Sequence, residues 1–109
     1  MPDANEAAKR VLIAYQQLGE VVKEHLHFGN APAYLASYNR ILDTLKECFS
    51  LDPDFQSAIQ HLAHLRNGDN DKLPNQMECD AKILRATAHS FIELYLSPEE
   101  KKKTIGFHG

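Results

Sequence analysis

Leu51-Asp52-Pro53 separates two apolar stripes and limits the fold more than any other stretch of this chain. Before it, Tyr38, Ile41, Leu42, Leu45, Cys48 and Phe49 fall on one face of a helix. After it, Phe55, Ala58, Ile59, Leu62 and Leu65 fall on one face of a second helix, expected to run to about Arg66. Asp52 can cap the second helix, and Pro53 suits its first position, where a missing N–H costs nothing. Pro53 also pushes Asp52 out of the helical region, so the first helix must end before it. The unit is a helix–corner–helix with two apolar faces that need covering.

The cover comes from both sides. Upstream, Asp3 and Glu6 form a capping pair, and Ala8, Val11, Tyr15, Leu18, Val22 and His25 recur at helical spacing over residues 1–28. Gly19 lies beside that stripe, where close approach of a neighbouring helix is one reason to tolerate it. Gly29-Asn30 ends the helix, and Pro32 sits in the first turn of the next, which carries Tyr34, Leu35 and Tyr38 onward to Phe49. Downstream, residues 67–72 read as a loop. Their acidic residues lack the Gly and Glu positions of a calcium-binding loop, since Pro74 and Asp80 stand there. Asn75 with Glu78 reads as the cap of a fourth helix whose Ile83, Leu84, Ala88, Phe91, Ile92, Leu94, Tyr95 and Leu96 make a broad apolar face. Ser97-Pro98-Glu99-Glu100 starts a short fifth helix ending near Ile105-Gly106. Phe107 is placed either to dock back on the bundle or in a frayed tail.

No stretch carries a β signal, and short connections favour antiparallel neighbours. The expected fold is therefore all-α: an antiparallel up-down bundle of four helices plus a short C-terminal fifth helix, forming one domain over residues 1–109. Residues 41–65, with Leu45, Cys48, Leu51-Asp52-Pro53, Ala58, Leu62 and Ala63, resemble the junction between two tetratricopeptide repeats. That resemblance covers about a quarter of the chain and would imply a protein-binding surface. It does not recur one repeat length (about 34 residues) before or after, where Gly19 and Thr87 stand in place of proline.

Charge and composition narrow the function classes. A formal net charge of −3 makes nucleic acid a poor partner, and Lys101-Lys102-Lys103 suits the C-terminus of the fifth helix. No apolar run approaches the roughly 20 residues needed to span a membrane, no leader is evident, and the expectation is a cytoplasmic protein. Cys48, on an apolar stripe, and Cys79 read as reduced thiols.

The 6 histidines are the main chemical signal. Glu24 and His27 form one Glu-x-x-His, half of the set used by di-iron bundles, with His25 between them on the apolar stripe. His61 and His64 are expected to share a solvated helix face, and His89 and Glu93 to share one on the fourth helix. No nucleophile motif or phosphate-binding loop accompanies them. Tyr15, Tyr34, Tyr38 and Tyr95 lie on or beside apolar stripes, where core or interface placement would suit them. The leading expectation is a non-enzymatic helical interaction module or small regulatory subunit. It would need no cofactor, and would bind a protein partner or a second copy of itself through Tyr15, Leu18, Val22, Tyr34, Tyr38 and Tyr95. The alternative is a metal-binding bundle using Glu24, His25, His27, His61 and His64.

Overall fold

The structure is a computed structural model that describes residues 3–23, 31–66 and 73–103. It is an all-α bundle, with no strand among the described residues. Five helices follow in order: α1 (Ala4–Lys23), α2 (Ala31–Phe49), α3 (Pro53–Ile59), α4 (Leu73–Tyr95) and α5 (Pro98–Lys103). None of the described helices is long and apolar enough to cross a membrane.

Local chemistry explains most of the boundaries. Asp3 Oδ1 accepts from the Glu6 amide at 2.8 Å, which opens α1. Asp52 has extended backbone (φ −136°, ψ 110°) and accepts from the Asp54 amide at 3.0 Å, with Pro53 beside it in the first turn of α3. The Ser97 hydroxyl accepts from the Glu100 amide at 3.3 Å and its carbonyl from the Lys101 amide at 3.0 Å, which opens α5. One expected cap is displaced. α4 begins at Leu73, so Asn75 lies inside the first turn and is not the cap. Leu73 is only 4% exposed, and seating it in the core starts the helix early, with Pro74 still in a first-turn position that tolerates it.

The up-down order is read from pairs of contacts. Along α1, Asn5 accepts from the Ser97 amide at 2.8 Å, Tyr15 meets His89, and Gly19 meets Arg85, so α1 and α4 are antiparallel. Arg10 at one level of α1 forks onto Glu47 at 3.2 Å, while Gln17 and Glu20 lie near Ser37 and Arg40, so α1 and α2 are antiparallel too. α2 and α4 then run in the same direction, with Phe49 stacked near Phe91 at 5.0 Å between ring centroids.

The third limb departs from expectation. The helix expected to reach about Arg66 stops at Ile59 after 7 residues, and the chain continues as an irregular strap over residues 62–66. The strap is captured by α2. The Asn39 side chain donates to the Leu65 carbonyl at 3.1 Å and accepts from the Leu65 amide at 2.9 Å, as a neighbouring β-strand would. Lys46 donates to the Leu62 carbonyl, and His64 Nε2 meets Asp43 Oδ1 at 2.7 Å. Asn39 and Lys46 thereby satisfy backbone groups that a continuing helix would have satisfied itself. Leu62 still reaches the core at 5% exposure, so the apolar pattern is kept while the helix is not.

The core lies between α1, α2 and α4. Val11, Leu18, Leu42, Leu45, Met77, Leu84 and Ile92 are fully buried there. At one end Phe49, Phe55, Phe91 and Tyr95 form a ring cluster with centroid spacings of 4.7–6.2 Å. Phe49 and Phe91, both fully buried, each contribute about 1.5–3 kcal/mol in transfer free energy. Cys48 is buried beside them, and burial pushes its thiol up from the ordinary value. Cys79 is an exposed thiol.

Candidate functional site

Of the residues singled out from the sequence, Glu24, His25 and His27 lie outside the described residues, as does the side chain of Val22. His61 and His64 are exposed. They do not share a helix face, because α3 ends before both. Among the described residues no group of three or more His, Cys, Asp or Glu side chains is placed to hold a metal ion.

The six interface candidates divide by burial. Leu18 and Tyr38 are 0% exposed, so they serve the core and offer no surface to a partner. Their place at the centre of their stripes decides this, whatever the residue type. Tyr38 is unusual even there, because its hydroxyl is buried with no hydrogen-bond partner. Burial first, and then the negative charge of Asp80, hold its phenol well above the ordinary tyrosine value. Tyr15, Tyr34 and Tyr95 are half-buried. Tyr95 donates to the Asp52 carboxylate, a bond that ties the corner to α4 and holds that carboxylate below its usual range. Tyr34 lines a groove of about 370 Å³ between α1 and α2, with Gln17, Glu20, Ser37 and Arg40. Tyr15 carries the Arg85 guanidinium over its ring at 4.4 Å and lies against His89. Gly19 makes room for that arginine: a Cβ there would stand 3.1 Å from Arg85 Nη2.

Of the four exposed large apolar side chains among the described residues, Ile13, Leu51, Ile83 and Leu94, two lie on the outer side of α4. Leu94 is 63% exposed and Ile83 is 39% exposed. Helical geometry puts them on one face with Thr87 and Ser90, at successive spacings of four, three and four residues. Beside this face lies a groove of about 310 Å³ between α3 and α4, lined by Asp54, Phe55, Ala58, Ala86, Thr87 and Ser90. The Thr87 hydroxyl donates back to the Ile83 carbonyl at 2.9 Å. It is therefore satisfied within the helix, and covering it costs little. Lys82 and Glu93, with side chains 67% and 55% exposed, flank the same edge of this face. Each has a partner close by on its own chain: Lys82 meets Glu78 at 3.4 Å, and Lys101 lies 4.0 Å from the Glu93 carboxylate.

The sequence contained this signal in its phase. The buried residues of α4 are Met77, Ala81, Leu84, Ala88, Phe91 and Ile92, and Ile83 and Leu94 lie about a quarter-turn or more away from that stripe. Pooled into one broad apolar face they look like core. Separated by angle, they form a second face.

Among the described residues, fold and surface define an all-α bundle of five helices with Ile83 and Leu94 exposed on the outer side of α4. No known protein family matches the chain, and no curated protein or solved structure matches it.

Proposed function

We propose that this protein is a non-enzymatic interaction module, and that it binds a protein partner through the outer face of α4. The observation that supports this reading is the exposure of Leu94 and Ile83 on one face of a helix whose opposite face is the best-buried in the bundle. Isolated exposed apolar residues are ordinary, but two on one helix face, beside a groove floored by Ala86, Thr87 and Ser90, suit a receptor for another helix. The flat centre of Ala86, Thr87 and Ser90 allows close backbone approach, and the two large side chains supply the anchors.

The test is a comparison of two baits in cell extract: the natural chain and Leu94→Asp. Leu94 is mostly in solvent, so the variant should keep its circular dichroism and melting profile. A partner held by the natural chain and lost with Leu94→Asp is the expected result. Capture that is indifferent to Leu94→Asp and to Ile83→Asp would refute the assignment of this face.

A further inference from the structure

We infer that the partner on the α4 face is a second copy of this chain, docked with its own α4 antiparallel about a two-fold axis at the level of Ala88. This rests on the interaction reading above and adds the identity and register of the partner.

Two pairs on this face share nearly one midpoint along the helix. Ile83 and Leu94 stand eleven positions apart, and so do Lys82 and Glu93. Two antiparallel copies centred between Thr87 and Ser90 would lay Ile83 on the partner's Leu94 at both ends, about 16 Å apart along the axis. Thr87 and Ser90 would meet at the centre, where small side chains let the helices approach. The same axis, within one residue, sets Lys82 opposite the partner's Glu93, and the pair occurs twice by symmetry. Both charges lie on the same edge of the seam, and antiparallel helices bring like edges together, so cation meets carboxylate on each side. A parallel docking would put the two copies of this edge on opposite sides of the seam, where Lys82 and Glu93 form no such pairs. Charge complementarity therefore favours the antiparallel orientation.

α3 leaves room for this arrangement. It packs on α4 at Phe91 and Tyr95 through Phe55 and walls one side of the groove beside Ala86, Thr87 and Ser90, and the strap that follows is bound to α2. The outward side of α4 at Ile83 is left to solvent. One helix face on each side is a small interface, so the association is expected to be weak, with a dissociation constant on the order of 100 µM.

The experiment is sedimentation equilibrium on the full chain from about 10 µM to 1 mM, with Leu94→Asp, Lys82→Glu, Glu93→Lys and the double variant Lys82→Glu/Glu93→Lys. Circular dichroism checks that each is folded. The expected result is a reversible dimer whose dissociation constant rises at least tenfold in Leu94→Asp. It should rise about threefold in each single charge variant and return to within about twofold of the natural value in the double variant. That restoration reads the register and cannot come from a general loss of stability. A chain that stays monomeric at 1 mM, or a dimer indifferent to Leu94→Asp, would overturn the inference, and so would charge variants whose effects simply add. If a Leu94-dependent partner is still captured from extract while the chain is monomeric, only the self-association fails. If neither is seen, the interaction reading fails with it.

Discussion

Replacing Tyr38 by Phe should stabilise this protein, although it deletes a polar group from the most buried tyrosine in the chain. Tyr38 is 0% exposed, and its hydroxyl has no hydrogen-bond partner. Leaving such a group dry and unpaired costs about 1–3 kcal/mol, whereas the ring itself is equally well packed in Phe. Taking the lower end, Tyr38→Phe gains about 1 kcal/mol at neutral pH, which for a domain near this size raises the melting temperature by about 4 °C. The gain should grow in alkali. Burial and the nearby Asp80 carboxylate hold the folded phenol above its ordinary value of 10.0, so the unfolded chain ionises first. Stability from a raised pKa is fully present below the unfolded value and is lost as pH rises beyond it. The natural protein therefore loses about 1.4 kcal/mol per pH unit above pH 10 through this residue, and Tyr38→Phe loses none of it. Urea melts of both proteins at several pH values between about 7 and 11 measure the difference. A Phe variant that is less stable at pH 7 would mean that the hydroxyl has a partner, such as a buried water. A gap that stays flat from pH 9 to 11 would refute the argument from burial.

Three further perturbations follow from the same contacts. Asn39→Ala removes both hydrogen bonds to Leu65 and should cost about 1–2 kcal/mol, with amide exchange at Leu65 accelerating more than exchange in the α4 core. Asp52→Asn weakens the anchor for Tyr95 and the cap of α3. Because the folded Asp52 carboxylate titrates below its ordinary 3.8, its contribution is present above that value and disappears as pH falls through the folded one, so the variant should show a shallower loss of stability in acid melts. Gly19→Ala exchanges a helix-breaking residue for the best helix former, worth about 1 kcal/mol, against a contact of 3.1 Å with the far end of Arg85. That end can shift, so a small net stabilisation is expected in thermal melts, while Gly19→Leu should destabilise.

The parts of the fold legible in the sequence are those decided within a few residues. Asp3 with Glu6, Asp52 with Pro53 and Ser97 with Glu100 each stop or start a helix through bonds spanning two or three positions. The end of α3 was not legible, because its competitors sit far away in sequence: Asn39 reaches Leu65 across 26 positions and Lys46 reaches Leu62 across 16. Apolar periodicity reports which residues want burial, and Leu62 does find it, but periodicity cannot tell a helix from a strap that delivers the same side chains. For the surface, residue type misled where phase would have served. Tyrosine suits interfaces in general, yet Tyr38 lies at the centre of its stripe and is core. Leu94 looks like core by type and is the most exposed large apolar residue among those described.

The short third limb and the open face of α4 are two aspects of one packing decision. A helix continuing beyond Ile59 with its apolar stripe intact would have had to settle in the groove between α2 and α4, and its bulk would have covered part of the outer side of α4. Instead Asn39, Asp43 and Lys46, all on α2, bond residues 62–65 to α2. The strap still contributes Leu62 to the core, so little burial is lost by giving up the helix. What is gained is exposure: α4 keeps one face for the fold and presents Ile83 and Leu94 on another. A chain under pressure only for stability would place polar residues at those two positions, as α4 does at Lys82 and Glu93 beside them. Ile83 and Leu94 stand there instead, on the face proposed above for binding.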